Sequence, residues 1–282
     1  MASLVIIVIS SLTVKGFNLM TADLTPILPA ESRATSAGCA ACKNPEGLDF
    51  DFEYAFQPIV DFNAKTIFAH EALIRGPNGE GAHTILSQVN NDNRYRFDQA
   101  CRVKAVKTAA ELQLEGLLSI NFMPNAVYQP ELCIRTTLEA AKRYHFPASN
   151  IIFEFTEQEI IDDTKHLLNI VFEYQKLGFK TALDDFGAGY AGLNLLARFQ
   201  PDIIKIDMEL IRDIDSSKAR QAIVKAITRM CEELGVTVLA ECVETKAERD
   251  VLLSYGINLF QGYLFCKPAF KAAGQVDVDA WH

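Results

Sequence analysis

The sequence has no excess of basic residues, no apolar run long enough to cross a bilayer, and no cysteine pair beyond a single CxxC. Lysine and arginine number 27 against 36 aspartates and glutamates, a formal net charge of -9. That balance argues against broad binding along a DNA or RNA backbone, which requires a basic surface. A small anionic substrate stays compatible with it wherever bound cations reverse the local charge. The apolar stretch Leu4–Val14 is broken by Ser and Thr and falls well short of the ~20 residues of a membrane-spanning helix. It also lacks a basic leading segment and a small-residue cleavage site. We therefore expect a short hydrophobic leader, or initiation at Met20, and no stable membrane span.

Cysteines stand at 39, 42, 101, 133, 231, 242 and 266, an odd and unclustered set that reads as reduced thiols of a cytoplasmic protein. No second CxxC and no close histidine pair follows Cys39 and Cys42 to complete a four-ligand zinc site. The pair reads as thiols in a loosely held leader rather than as a metal or redox centre. Residues 21–48, rich in Pro, Ser, Ala and Thr, read as a linker. The expected organisation is a poorly ordered segment over 1–48 and one domain over 49–275.

Of the 282 residues, 49% are hydrophobic and 22% charged, enough for a sizeable packed core. From Phe50 onward, short β-type runs alternate with amphipathic helical stretches. The runs are Tyr54–Val60, Thr66–Leu73, Leu117–Phe122, Ile151–Phe155, Lys180–Asp184, Ile203–Asp207, Val236–Ala240 and Ile257–Phe260. Gly178, Gly235 and Gly256 each follow a helical stretch and precede an apolar run. A residue without Cβ suits a left-handed helix cap there. Helix, glycine and strand in repetition predict αβ units around a parallel sheet. About eight strands in roughly 230 residues favour a closed (β/α)8-type barrel over an open sheet.

Carboxylates and amides recur at the C-terminal ends of these runs: Glu71, Asn121, Glu154, Asp184 with Asp185, Glu241 with Glu244, and Gln261, joined by Lys205 and Asp207. In a barrel such ends converge on one face, where active sites are built. Single acids after strands are ordinary helix caps, but a series of six is hard to explain that way. Converging carboxylates repel unless cations lie between them. Donors that are all oxygen favour Mg²⁺ or Mn²⁺ over zinc. Adjacent Asp184 and Asp185 allow one carboxylate to bridge two ions while the other binds the second. Lys205 would partner the attacking water or a phosphate oxygen. These residues point to a two-metal phosphoryl hydrolase on a barrel, with a metal-dependent lyase as the competitor.

The sequence also resembles the EAL-domain family of cyclic di-GMP-specific phosphodiesterases. The resemblance rests on Glu71-Ala72-Leu73 followed by Ile74-Arg75, on Phe56-Gln57-Pro58-Ile59-Val60, and on Asn121 and Phe153-Glu154-Phe155. It rests further on Asp184-Asp185-Phe186-Gly187-Ala188-Gly189-Tyr190, Lys205, Glu241-Cys242-Val243-Glu244 and Gln261-Gly262-Tyr263-Leu264-Phe265. It implies a modified TIM-type (β/α)8 barrel that hydrolyses cyclic di-GMP to linear pGpG with Mg²⁺ or Mn²⁺, two ions in all. It implies Glu71, Asn121, Glu154 and Asp184 as ligands of the first ion, and Asp184, Asp185 and Glu241 as ligands of the second. Lys205 would hold the nucleophilic water, with Glu244 and Gln261 orienting it. Gln57, Leu73 and Arg75 would contact substrate, Arg75 offering a planar donor fork to a phosphate. Glu157 would anchor the loop after Asp185, which in this family helps link dimer formation to activity, so a homodimer is expected.

The chain departs from that family at Cys242, where glycine is usual. A position needing positive φ would make a Cβ there costly. A thiol beside metal-binding acids could instead report oxidation, although neighbouring carboxylates oppose thiolate formation. His70 should face away from Glu71 and be structural, and Asp207 should support Lys205. Phe50, Phe52 and Phe56 should be core residues, and the cations of Arg94–Lys107 a solvated helix face. The complete carboxylate set favours an enzyme over a non-catalytic cyclic di-GMP receptor or interaction module. A Schiff-base lyase is disfavoured because acids around Lys205 would keep it charged. The ~50 residues before the barrel are too few for an ordinary sensor domain, so regulation is expected from a separate sensor partner, from oligomerisation or from the N-terminal cysteines.

Overall fold

The computed structural model describes residues 47–156, 164–189 and 192–282. The leader, Cys39, Cys42, Glu157 and Tyr190 lie outside the described residues. Nine strands form one sheet: β1 Glu53–Asp61, β2 Thr66–Arg75, β3 Leu117–Asn121, β4 Ile151–Thr156, β5 Lys180–Phe186, β6 Ile203–Ile206, β7 Thr237–Ala240, β8 Leu259–Phe260 and β9 Ala269–Phe270. Strands β2 to β8 pair in parallel and in sequence order. Strand β1 closes the ring by pairing with both β2 and β8. The result is a modified TIM barrel.

The modification is the direction of β1, which runs antiparallel to both neighbours. An all-parallel sheet was expected; the four residues between Asp61 and Thr66 are too few for a crossover, so β1 and β2 must form a hairpin. Strand β9 extends the wall by pairing with Ala55 and Phe56 of β1.

Period-two alternation along the strands builds two separate cores. Facing inward, Ile59, Ala69, Ile152, Ala182, Ile203, Leu239 and Leu259 form a closed apolar plug. Facing outward, Phe56, Leu118, Ile120, Phe153, Phe155, Leu183, Ile204 and Ile206 pack under the surrounding helices. Phe50 and Phe52 join that outer core through Phe97, as expected. His70 is buried on the outer face, with Nδ1 3.0 Å from the Glu115 carbonyl oxygen. The glycine caps also form: Gly178, Gly235 and Gly256 all have positive φ, and Gly235 closes helix Lys218–Leu234 in the left-handed region.

Helix Arg94–Glu111 departs from expectation. Its cations do not form one solvated face, because Arg102 is fully buried along with Asp98 and Gln99. No helix among the described residues is long and apolar enough to cross a membrane.

Candidate active site

One step above the apolar plug, the inward positions become polar. Advancing two residues from Ala69, Ile152, Ala182, Ile203, Leu239 and Leu259 gives Glu71, Glu154, Asp184, Lys205, Glu241 and Gln261. On the reversed strand β1, the step back from Ile59 gives Gln57. The same period that fills the barrel with hydrocarbon therefore lines its mouth with carboxylates.

Lys205 is the centre of this ring. Its Nζ lies 2.7 Å from Glu241 Oε1, 2.9 Å from Glu154 Oε2, 3.1 Å from Asp184 Oδ1 and 3.7 Å from Glu71 Oε2. Burial alone would lower the pKa of this lysine, but Asp184, Glu154, Glu241 and Glu71 override it and hold the pKa well above its usual value. A lysine held charged by four carboxylates is a poor nucleophile, which disfavours the Schiff-base reading.

One ammonium does not balance the acids. Burial, together with Glu71 and Asp184, pushes Glu154 up to about 8 against the pull of Lys205. Burial likewise holds Glu241 well above the carboxylate range despite the same lysine. Asp185 is pushed up to about 6 by burial and by Asp184. Two overlapping oxygen sets have all their donor atoms within 4.8 Å: Glu71, Glu154 and Asp184, and then Asp184, Asp185 and Glu241. Asp184 belongs to both. The five carboxylates exceed the lysine by four formal charges, which two divalent cations would balance. By donor type, charge and spacing, the residues fit a pair of hard cations.

Asn121 donates from Nδ2 to Glu71 Oε1 at 2.9 Å, which leaves its amide oxygen for another partner. Gln261 donates to Glu71 Oε2 at 2.7 Å and to Gln57 Oε1 at 3.3 Å, and Gln57 donates to the Cys266 carbonyl at 3.0 Å. Gln261 is thus tied to Glu71. Ser119, on the same face two residues before Asn121, donates to Glu154; period two alone would have found it. A cavity of about 470 Å³ adjoins the ring, lined by Gln57, Leu73, Arg75, Met208, Arg212, Tyr263 and neighbouring residues.

Two expected partners make other contacts. Glu244, expected to orient the water, is half exposed at the rim of the cavity that Glu71, Glu241 and Gln261 also line, and it pairs with Arg212 at 3.0 Å. Asp207 caps helix Met208–Ile211 by accepting from Glu209 N at 2.9 Å, a local role in place of the expected support of Lys205. Arg212 went unnoticed in the sequence because it follows a four-residue helix and belongs to no strand end.

Two ring positions carry backbone strain. Asp185 has φ 54° and Cys242 φ 52°, both in the left-handed region. For Asp185 the kink turns consecutive carboxylates toward one site, with its N–H donating to Asp184 Oδ1 at 3.0 Å. Cys242 thus stands where glycine would be unstrained. Although the residue is exposed, partial desolvation together with Glu241 and Asp207 pushes its thiol up to about 11. Cys242→Gly is expected to stabilise the protein by about 0.5–1 kcal/mol, the relief of left-handed strain less glycine's entropy cost. Urea denaturation measures this, and an unchanged midpoint would show the kink to be unstrained. Gly262 is required for a different reason: a Cβ there would collide with the backbone of Val243, which links β7 to β8.

A family model described as EAL domain matches residues 48–268. Among curated proteins, the blue light- and temperature-regulated antirepressor BluF of Escherichia coli K12 is 36% identical over 215 residues, covering 76% of this chain and 53% of that protein. The probable cyclic di-GMP phosphodiesterase PdeA of the same organism is 35% identical, covering 69% of this chain and 29% of its own length. This chain therefore spans about half of the first relative and under a third of the second. Among solved structures, a standalone versatile EAL protein from Vibrio cholerae O395 in its c-di-GMP bound form is 55% identical, with a TM-score of 0.81. The alignment covers 83% of this chain and 99% of that one. Klebsiella pneumoniae BlrP1, in a manganese and cyclic di-GMP complex at pH 9.0, is 39% identical with a TM-score of 0.76, covering 80% and 58%. The sequence motifs, the closed mixed barrel and these matches agree: the chain belongs to the EAL domain family.

Proposed function

We propose that this protein hydrolyses cyclic di-GMP to linear pGpG with two Mg²⁺ or Mn²⁺ ions, lowering the level of this bacterial second messenger. The observation that supports the reading best is the sharing of Asp184 between two oxygen triads at the mouth of a barrel. Glu71, Asn121, Glu154 and Asp184 would hold one ion, and Asp184, Asp185 and Glu241 the other. When bound, the cations would supply Lewis acidity to the phosphodiester and to the attacking water. Lys205, bridging its four carboxylates, would set the spacing of the ring and offer its ammonium to the water or to a phosphate oxygen. Arg75, now donating to the Ile74 carbonyl at 2.7 Å, would turn its fork toward the phosphate. Gln57 and Leu73 would line the substrate path, and Gln261 would steady Glu71. Glu157 would anchor the loop after Asp185. The reading includes a cytoplasmic homodimer controlled by a separate partner, with the catalytic domain over 49–275.

The competing reading is a receptor or interaction module that binds cyclic di-GMP without turnover. The strained Cys242 beside Glu241 and a relative named an antirepressor favour it. Incubation with cyclic di-GMP and Mg²⁺ or Mn²⁺, with products separated by chromatography, decides between the two. Metal-dependent pGpG that disappears in Glu71→Ala supports the enzyme; tight binding without product makes the protein a receptor.

The metal centre also predicts a pH dependence. In the folded chain Glu154 keeps its proton to about pH 8, whereas in the unfolded chain it loses it near 4.5. Between those values the folded state holds more protons, so the stability of the metal-free protein falls as pH rises. Cations displace these protons and should bind more tightly as pH rises from about 6 to 8, by up to roughly tenfold per pH unit for each proton released. Calorimetry with Mn²⁺ in buffers of different ionisation enthalpy measures the release directly. A pH-independent affinity would contradict the assignment.

A further inference from the structure

The outer surface of β3 and β4 carries a buried polar network that the proposed chemistry does not use. Asp98 and Arg102, one helical turn apart on helix Arg94–Glu111, pair at 2.8 Å with side chains 2% and 0% exposed. Arg102 Nη1 donates to the Tyr174 hydroxyl at 2.6 Å, on helix Thr164–Lys176. The guanidinium lies 5.3 Å from the Phe122 ring centroid, 5.0 Å from Phe153 and 5.6 Å from Tyr174. Asp98 Oδ1 also accepts the backbone N–H of Met123 at 3.0 Å. Arg102 Nε has no hydrogen-bond partner.

As a stabilising device this arrangement is poor. A buried ion pair is often no more stable than well-packed hydrocarbon, and an unpaired guanidinium N–H adds to its cost. Its location is informative. Phe122 follows Asn121, Phe153 precedes Glu154, and Met123 is held two residues beyond Asn121. Successive residues of a strand point to opposite faces, so the network presses on the back of the two strands whose front faces carry Asn121 and Glu154. The two strand ends are further joined where Phe122 N–H donates to the Glu154 carbonyl at 3.0 Å.

We propose that Asp98, Arg102 and Tyr174 are positioning residues that hold Asn121 and Glu154 at the spacing a shared cation requires. The inference rests on the metal-centre reading above. Asp98 fixes the chain just past Asn121, Arg102 wedges Phe122 against Phe153, and Tyr174 ties that wedge to the helix that follows β4. Groups that hydrogen-bond metal ligands directly are commonly worth about 10–100-fold in affinity, and that range is the upper bound for a network acting through the strand behind them.

The test is calorimetric titration of the full chain with Mn²⁺ alone, alongside thermal melting. Asp98→Asn combined with Arg102→Met removes both charges, keeps an acceptor for Met123 and fills the guanidinium volume. Tyr174→Phe removes only a hydroxyl. Phe179→Leu, at a ring 5.2 Å from Phe153, is the packing control. The double variant is expected to melt cooperatively and lose up to roughly 10–100-fold in Mn²⁺ affinity, with a smaller loss for Tyr174→Phe. The packing control should melt lower and bind Mn²⁺ as wild type does. Unchanged affinity in Tyr174→Phe, or an equal loss in Phe179→Leu, overturns the positioning role. If the double variant fails to fold, Tyr174→Phe and the control decide the matter. A wild-type chain that binds no Mn²⁺ overturns the metal-centre reading itself, a result distinct from unchanged variants.

Discussion

Asp184→Asn is expected to lower cyclic di-GMP turnover by at least about 10³-fold, or ~4 kcal/mol of barrier. It is the carboxylate common to both oxygen triads, so its loss would weaken both proposed cation sites at once. Asn121→Ala removes a neutral donor from one site and should cost roughly 10–100-fold in metal affinity, with activity partly recovered at high Mn²⁺. The melting temperature separates the cases: Mn²⁺ should raise it in wild type and in Asn121→Ala but not in Asp184→Asn. Comparable recovery of both variants by added metal would mean that Asp184 serves a single site.

Lys205→Met should have the largest effect on the metal-free protein. The ammonium lies within 3.1 Å of three carboxylates and is 1% exposed, so removing it leaves buried acids facing one another. Leaving buried charge uncompensated costs on the order of 3–5 kcal/mol. The loss should be greatest near pH 8, where the carboxylates would otherwise be ionised. It should shrink toward pH 5, where protons can neutralise them. Divalent cations should restore stability without restoring turnover. Denaturation in EDTA and in Mn²⁺ at both pH values tests this. Equal midpoints for variant and wild type in EDTA at pH 8 would mean that Lys205 does not hold the ring together.

The strands and the acidic mouth were legible because both follow from alternation. Once Ile151–Phe155 or Lys180–Asp184 is read as a strand, the inward residues are determined, and the last inward position of each, Glu154 or Asp184, carries a carboxylate above the apolar Ile152 or Ala182. The direction of β1 was equally available, since the four residues before Thr66 leave no room for a crossover; the repeated helix-glycine-strand units elsewhere masked it. Glu244 was expected from its motif to help orient the water; it lies at the rim of the cavity, paired with Arg212. Such rim contacts depend on loop geometry, which carries no period. Arg102 was misread for a related reason: helical spacing assigns it a face but cannot show that an aspartate one turn away makes its burial tolerable.

Reversal of β1 also changes where the chain comes into the barrel. In an all-parallel barrel the first strand begins at the closed end, far from substrate. Here Glu53 lies opposite Arg75 at the open end, and Gln57 is reached four residues later. Residue 53 thus sits beside Arg75, with Gln57 four residues on, and the plug lies beyond both. The first strand therefore starts at the rim of the cavity that Gln57 and Arg75 line, and not at the far end of the plug.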